Sequence, residues 1–81
     1  MEKQFNAPSY RPLYDQIKVL ITQSLIAGEW RPGDIIPSEL ELAGIYKVSQ
    51  GTVRKAIDSL ASENILIRRQ GKGTYVATHD A

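Results

Sequence analysis

The sequence predicts a small α+β domain in which three helices are followed by a β-hairpin. Three observations point there. Apolar residues recur at helical spacing from Leu13 to Leu25, two helix-start signals lie close together at Ser38 and Ser49, and two strand-like runs flank Gln70-Gly71-Lys72-Gly73. Length agrees, because 81 residues are one domain, and a chain that short buries roughly 60–65% of its unfolded surface around a single modest core. Barrels and doubly wound sheets are excluded on length alone.

The first helix carries Leu13, Ile17, Leu20, Ile21 and Leu25 as one stripe, with Pro12 suited to its first turn and Gly28 to its end. Trp30-Arg31-Pro32-Gly33-Asp34 is a turn, since Pro presets φ and Gly accepts a positive one. Ile35-Ile36 then makes a short β-branched edge strand stopped by Pro37. Ser38-Glu39-Leu40-Glu41 has the capping-box spacing that opens a second helix, which continues through Leu42, Ala43 and Tyr46 and ends near Lys47-Val48. Ser49 caps a third helix whose buried face is Val53, Ala56, Ile57 and Leu60, and Asn64 suits a left-handed stop. Residues 65–69 and 74–77 form the hairpin around two glycines. Two short helices in tandem, preceded by a helix and followed by a hairpin, outline a winged helix-turn-helix: three helices, a small antiparallel β-hairpin wing and a short extra strand.

Residues 1–10 are polar, contain Pro8 and show no apolar period, which reads as a flexible tail. The domain then covers residues 11–77, and 78–81 begin a linker. No apolar run approaches a membrane span, and the first residues lack the apolar stretch of a signal peptide. The chain reads as cytoplasmic, with no membrane partner.

Charge and chemistry narrow the function. The net charge of +1 is an average: Lys47, Arg54, Lys55, Arg68, Arg69 and Lys72 against Asp58 and Glu63 give residues 47–72 a balance of +4, and the remainder carries −3. Such asymmetry suits a part that faces a polyanion, although a solvated surface has the same composition. With no cysteine there is no thiol nucleophile or Cys-ligated zinc, and the lone His79 beside Asp80 is a solvated side chain rather than a ligand. Gly71-Lys72-Gly73 fails the P-loop pattern twice: Leu66 stands where its first Gly belongs, and Gly73 where Ser or Thr must follow Lys. Glu39 and Glu41 are paired carboxylates, but a capping box and the helix dipole account for acids there. The expectation is a protein that is not an enzyme, with no metal site and no cofactor within this chain.

The third helix is the better candidate. Its first turns present Ser49, Gln50, Gly51, Thr52, Arg54 and Lys55 away from the apolar face. In a helix-turn-helix that end enters the major groove. Hydroxyls there reach phosphates or bases, Gln50 can pair bidentately with adenine, and Arg54 can reach guanine or phosphate. Gly51 costs about 1 kcal/mol relative to Ala in a helix, which suggests close backbone approach. Arg68, Arg69 and Lys72 surround the hairpin tip, a slim positive finger that a minor groove can receive. Lysines and arginines also simply block edge pairing, so this sign is ambiguous by itself. The aromatic residues Tyr10, Tyr14, Trp30, Tyr46 and Tyr75 are expected in or beside the core rather than as base-stacking platforms. The competing functional class is a winged helix used as a protein-interaction module.

Taken together, Pro12-Leu13-Tyr14 with Gln16-Ile17, Gly28-Glu29, Pro32-Gly33-Asp34, Pro37-Ser38-Glu39 with Glu41-Leu42-Ala43, Val48-Ser49 with Thr52-Val53-Arg54 and Ala56, and Arg68-Arg69-Gln70-Gly71 with Gly73-Thr74-Tyr75-Val76 resemble the DNA-binding domain of GntR-family bacterial transcription regulators. The opening Pro-Leu-Tyr and closing Gly-Thr-Tyr-Val-Ala are most similar to the HutC-type branch. The resemblance covers residues 12–77. It implies a homodimer on a near-palindromic double-stranded DNA operator, usually repressing transcription, with Ser49, Gln50, Gly51, Thr52, Arg54, Gln70 and Gly71 at positions that contact DNA in the family. Leu40 and Gln50 stand where the family often has arginines, so adenine rather than guanine is expected opposite Gln50. HutC-type regulators carry a C-terminal domain that binds a small-molecule effector. Since this chain stops at Ala81, the resemblance implies an excised DNA-binding domain.

Overall fold

The computed structural model describes residues 11–78. The expected tail over 1–10, together with Tyr10, His79 and Asp80, lies outside them. The element order is α1 (Leu13–Ile26), α2 (Glu39–Tyr46), α3 (Gln50–Ser62), β1 (Leu66–Arg69) and β2 (Gly73–Val76). This is the expected winged helix-turn-helix, with each helix boundary within about two residues of the sequence reading.

The local signals act as their chemistry requires. Ser38 Oγ accepts from the Glu41 amide at 3.1 Å while Glu41 Oε1 accepts from the Ser38 amide at 2.9 Å, so the capping box satisfies two otherwise orphaned donors at the start of α2. Ser49 Oγ accepts from the Thr52 amide at 3.1 Å and starts α3. Asn64 adopts φ 63° and closes α3 as expected, with the Ile65 amide reaching back to the Leu60 carbonyl. Lys47 was not foreseen in this role: it sits in the left-handed region (φ 59°, ψ 48°) and turns the chain from α2 to α3.

The core surrounds α3. Val53, Ala56 and Ile57 are fully buried and Leu60 nearly so, and they pack on α1, α2 and β1 together. From α1 only Ile17 and Ile21 are buried; Leu13 and Leu20 remain 49% and 41% exposed, so the expected five-residue stripe is narrower than read. The reason is geometric: α1 packs chiefly on α3, and one helix neighbour covers less of a helix face than a sheet or two helices do.

The wing is an antiparallel pair in which Leu66 faces Val76 and Arg69 faces Gly73. The expected extra strand at Ile35-Ile36 reduces to a single bridge between Ile35 and Tyr75. Hydrogen bonds from the Ile36 amide to the Thr74 carbonyl and from the Val76 amide to the Asp34 carbonyl complete it, and the Ser38 amide, the next donor on that side, is taken by Glu41 Oε1. Gly73 shows why this junction needs glycine. Its φ is +127°, and a Cβ there would lie 2.9 Å from Ile35 Cδ1. Gly73→Ala is therefore expected to destabilise the fold by about 1–3 kcal/mol through backbone strain and a clash; a shift of the urea midpoint to lower concentration measures it.

Candidate nucleic-acid interface

The sequence-predicted residues come from two elements that the core holds side by side. Ser49 Oγ caps α3 and lies 2.9 Å from Thr52 Oγ1, fixing both hydroxyls at the helix start. Gln50, Gly51, Arg54 and Lys55 project from the exposed face, opposite Val53 and Ile57. On the wing, Arg69, Gln70, Gly71 and Lys72 are exposed around a turn closed by the Lys72 amide donating to the Arg69 carbonyl at 2.9 Å. An open groove of about 1000 Å³ runs between the two, lined by Gln50, Arg68 to Thr74 and the 35–41 segment. Among the described residues no cluster of His, Cys, Asp or Glu is placed to hold a metal ion.

Two predicted residues face elsewhere. Lys55 Nζ lies over the Tyr14 ring, 4.5 Å from its centroid, which draws it toward α1. Arg68 turns back onto the helices. Arg69 reaches over the half-buried Tyr75 ring at 5.6 Å, so Tyr75 is covered rather than offered as a stacking platform. Trp30, Tyr14 and Tyr46 pack against the core, as expected.

Glu39 is the residue that sequence reasoning misplaced. It opens α2, but capping there belongs to Ser38 and Glu41; the Glu39 carboxylate instead binds across the interface. Its Oε1 accepts from Arg54 Nε at 3.1 Å and, at the limit of a hydrogen bond, from Gln50 Nε2 at 3.5 Å, while Oε2 lies 2.9 Å from Arg68 Nη1. Burial pushes the Glu39 carboxyl upward, and the hydrogen bonds from Arg68, Arg54 and Gln50 outweigh it, so the net shift is below the ordinary value of 4.5. The partners lie 11, 15 and 29 residues away in sequence. The available signal was an acid amid a field of arginines.

Gly51 has no internal reason to be glycine. A Cβ there would meet only Ser49 Oγ, at 4.0 Å, and its φ is ordinary. The space above it opens outward.

With this geometry in view, residues 13–76 match the family described as "Bacterial regulatory proteins, gntR family". The chain belongs to the GntR family. It is 42% identical over 66 residues to the histidine utilization repressor of Klebsiella aerogenes, covering 82% of this chain and 27% of that protein. It is 49% identical over 71 residues to the uncharacterized HTH-type transcriptional regulator YurK of Bacillus subtilis, covering 88% and 29%. The chain thus spans less than a third of these relatives. Among solved structures, the DNA-binding domain of AraR in complex with an operator superposes with a TM-score of 0.82 at 36% identity, over 95% of this chain and 93% of that one. The GntR-family fold and the HutC-type likeness read from the motifs both stand.

The direction of the Glu39 shift sets a pH dependence. A carboxyl whose folded pKa is depressed adds stability that is present above its unfolded value and is lost as pH falls through the folded one. Wild type is therefore expected to be more stable than Glu39→Gln near neutrality, and the difference to close on acidification below 4.5. Thermal melts of both proteins across that range check it.

Proposed function

We propose that this chain is the DNA-binding domain of a transcription repressor, with α3 in the major groove of an operator and the wing at the adjacent minor groove. The observation that carries the reading is the shared groove: Gln50 at the start of α3 and the wing tip line one opening, and family relatives of this architecture include an operator-bound domain. In this reading Ser49, Thr52 and the backbone at Gly51 approach phosphate, Gln50 and Arg54 reach base edges, and Arg69, Gln70, Gly71 and Lys72 serve the wing. Lys55, drawn toward Tyr14, adds to the positive field rather than to base readout. The competent form is a homodimer on a near-palindromic site, since a two-fold operator mirrors a two-fold protein. A small-molecule effector is bound by a separate domain, and the protein works in the cytoplasm with no catalytic role. No helix among the described residues is long and apolar enough to cross a membrane.

Two measurements test the reading. Log K on a selected duplex is expected to fall with log salt at a slope of about −3 per domain, if some three phosphates are neutralised; anisotropy titrations insensitive to salt would remove DNA from the account. Gly51→Ala is expected to act with opposite signs. The fold gains about 0.5–1 kcal/mol from helix propensity, while the added methyl stands where the duplex approaches and weakens binding. Urea denaturation and anisotropy on the same sample separate the two effects.

A further inference from the structure

Arg68 lies on the wing among residues assigned to DNA, yet its guanidinium is committed elsewhere. Nε donates to Asp58 Oδ1 at 2.9 Å, and Nη2 reaches the same oxygen at 2.8 Å and the Arg54 carbonyl at 3.3 Å. Nη1 lies 2.9 Å from Glu39 Oε2. One planar side chain on β1 thereby holds the first residue of α2 and two successive turns of α3. A guanidinium presents its donors in a rigid fork, so it can satisfy several acceptors at fixed angles; an ammonium is a single point and cannot. Glu39, at 16% side-chain exposure, sits at the bottom of this arrangement and holds Arg54 through its other oxygen. The wing and the base-reading helix are joined by charge-assisted hydrogen bonds in addition to the apolar contact of Leu66 with the core.

We propose that Arg68 is a positioning residue for DNA recognition: it sets the distance and tilt of the wing relative to α3, and Asp58 and Glu39 are its anchors. The proposal rests on the DNA-binding reading above. It runs against simple electrostatics at one residue. Asp58 is 60% exposed on the recognition helix, where a negative charge repels a polyanion. If charge alone matters, neutralising it strengthens binding; if Asp58 anchors the wing through Arg68, neutralising it weakens binding.

The test uses duplexes selected from a random pool by the wild-type chain, with anisotropy titrations over a salt series and circular dichroism melts to establish that each variant is folded. Asp58→Asn is expected to weaken binding by about five- to tenfold, within the range of couplings between contacting residues. Arg68→Gln is expected to lose affinity without changing the salt slope, because no phosphate contact is removed. Arg68→Lys, which keeps the charge, is expected not to restore binding, and Arg68→Gln with Asp58→Asn to be no weaker than Arg68→Gln alone. Tighter binding by Asp58→Asn, recovery by Arg68→Lys, or a salt slope shallower by about one in Arg68→Gln would overturn the proposal and make Arg68 a phosphate contact. Should Arg68→Gln fail to fold, the sign of the Asp58→Asn effect decides by itself, since that largely solvated side chain is dispensable for the core. A wild-type chain that selects no duplex would overturn the DNA reading and this proposal with it; the other outcomes overturn only the proposal.

Discussion

Helix α3 must satisfy two masters along 13 residues. One face supplies four side chains with almost no exposed surface, Val53, Ala56, Ile57 and Leu60, against α1, α2 and β1. The other carries the polar groups proposed to meet DNA, Gln50 and Arg54 among them. Nothing flexible separates the two roles, so the aim of Gln50 and Arg54 is inherited from the packing beneath them. Close-packed interiors transmit small volume changes. A cavity under Ile57 would therefore alter not only stability but also the direction in which the outer face looks.

Charge in this domain is partly spent on itself. The positive balance of residues 47–72 suggests a broad cationic field, yet Arg54 and Arg68 share Glu39, Arg68 also holds Asp58, and Lys55 rests on Tyr14. Among the described residues of this stretch, Lys47, Arg69 and Lys72 are exposed and are in none of these ion pairs. These pairs hold Arg54 and Arg68 in place within the free domain, and preorganisation of that kind lowers the ordering cost of association.

Most of the architecture was legible because its signals are local. Ser38 with Glu41, Ser49 before Thr52, Asn64 after α3 and the glycines of the wing are chemistry within a few residues, and each appears in the structure where its spacing placed it. The motifs that resemble the GntR family rest on the same short segments. What was not legible is relational. Leu13 and Leu20 obey a helical period, but whether a stripe is covered depends on how many neighbours the helix meets. Glu39 read as a helix-dipole acid because its partners are distant in sequence, and Arg68 and Lys55 read as free cations because a formal charge does not reveal which groups it is already facing. Lys47 carries a positive φ that glycine would have advertised and lysine conceals.

The bridge between Ile35 and Tyr75 bears on how the molecule assembles. The α2–α3 unit and the β1–β2 hairpin are each built from neighbours in the chain, whereas this bridge closes a loop of about forty residues and carries an entropic cost that local pairs avoid. It is held by few hydrogen bonds at the rim of the domain, beside the half-exposed Ile35. Such a contact belongs late in folding and early in local opening. The outer edge of the wing is thus held by one bridge and a few long-range hydrogen bonds, while its inner edge is tied to α3 through Leu66 and Arg68.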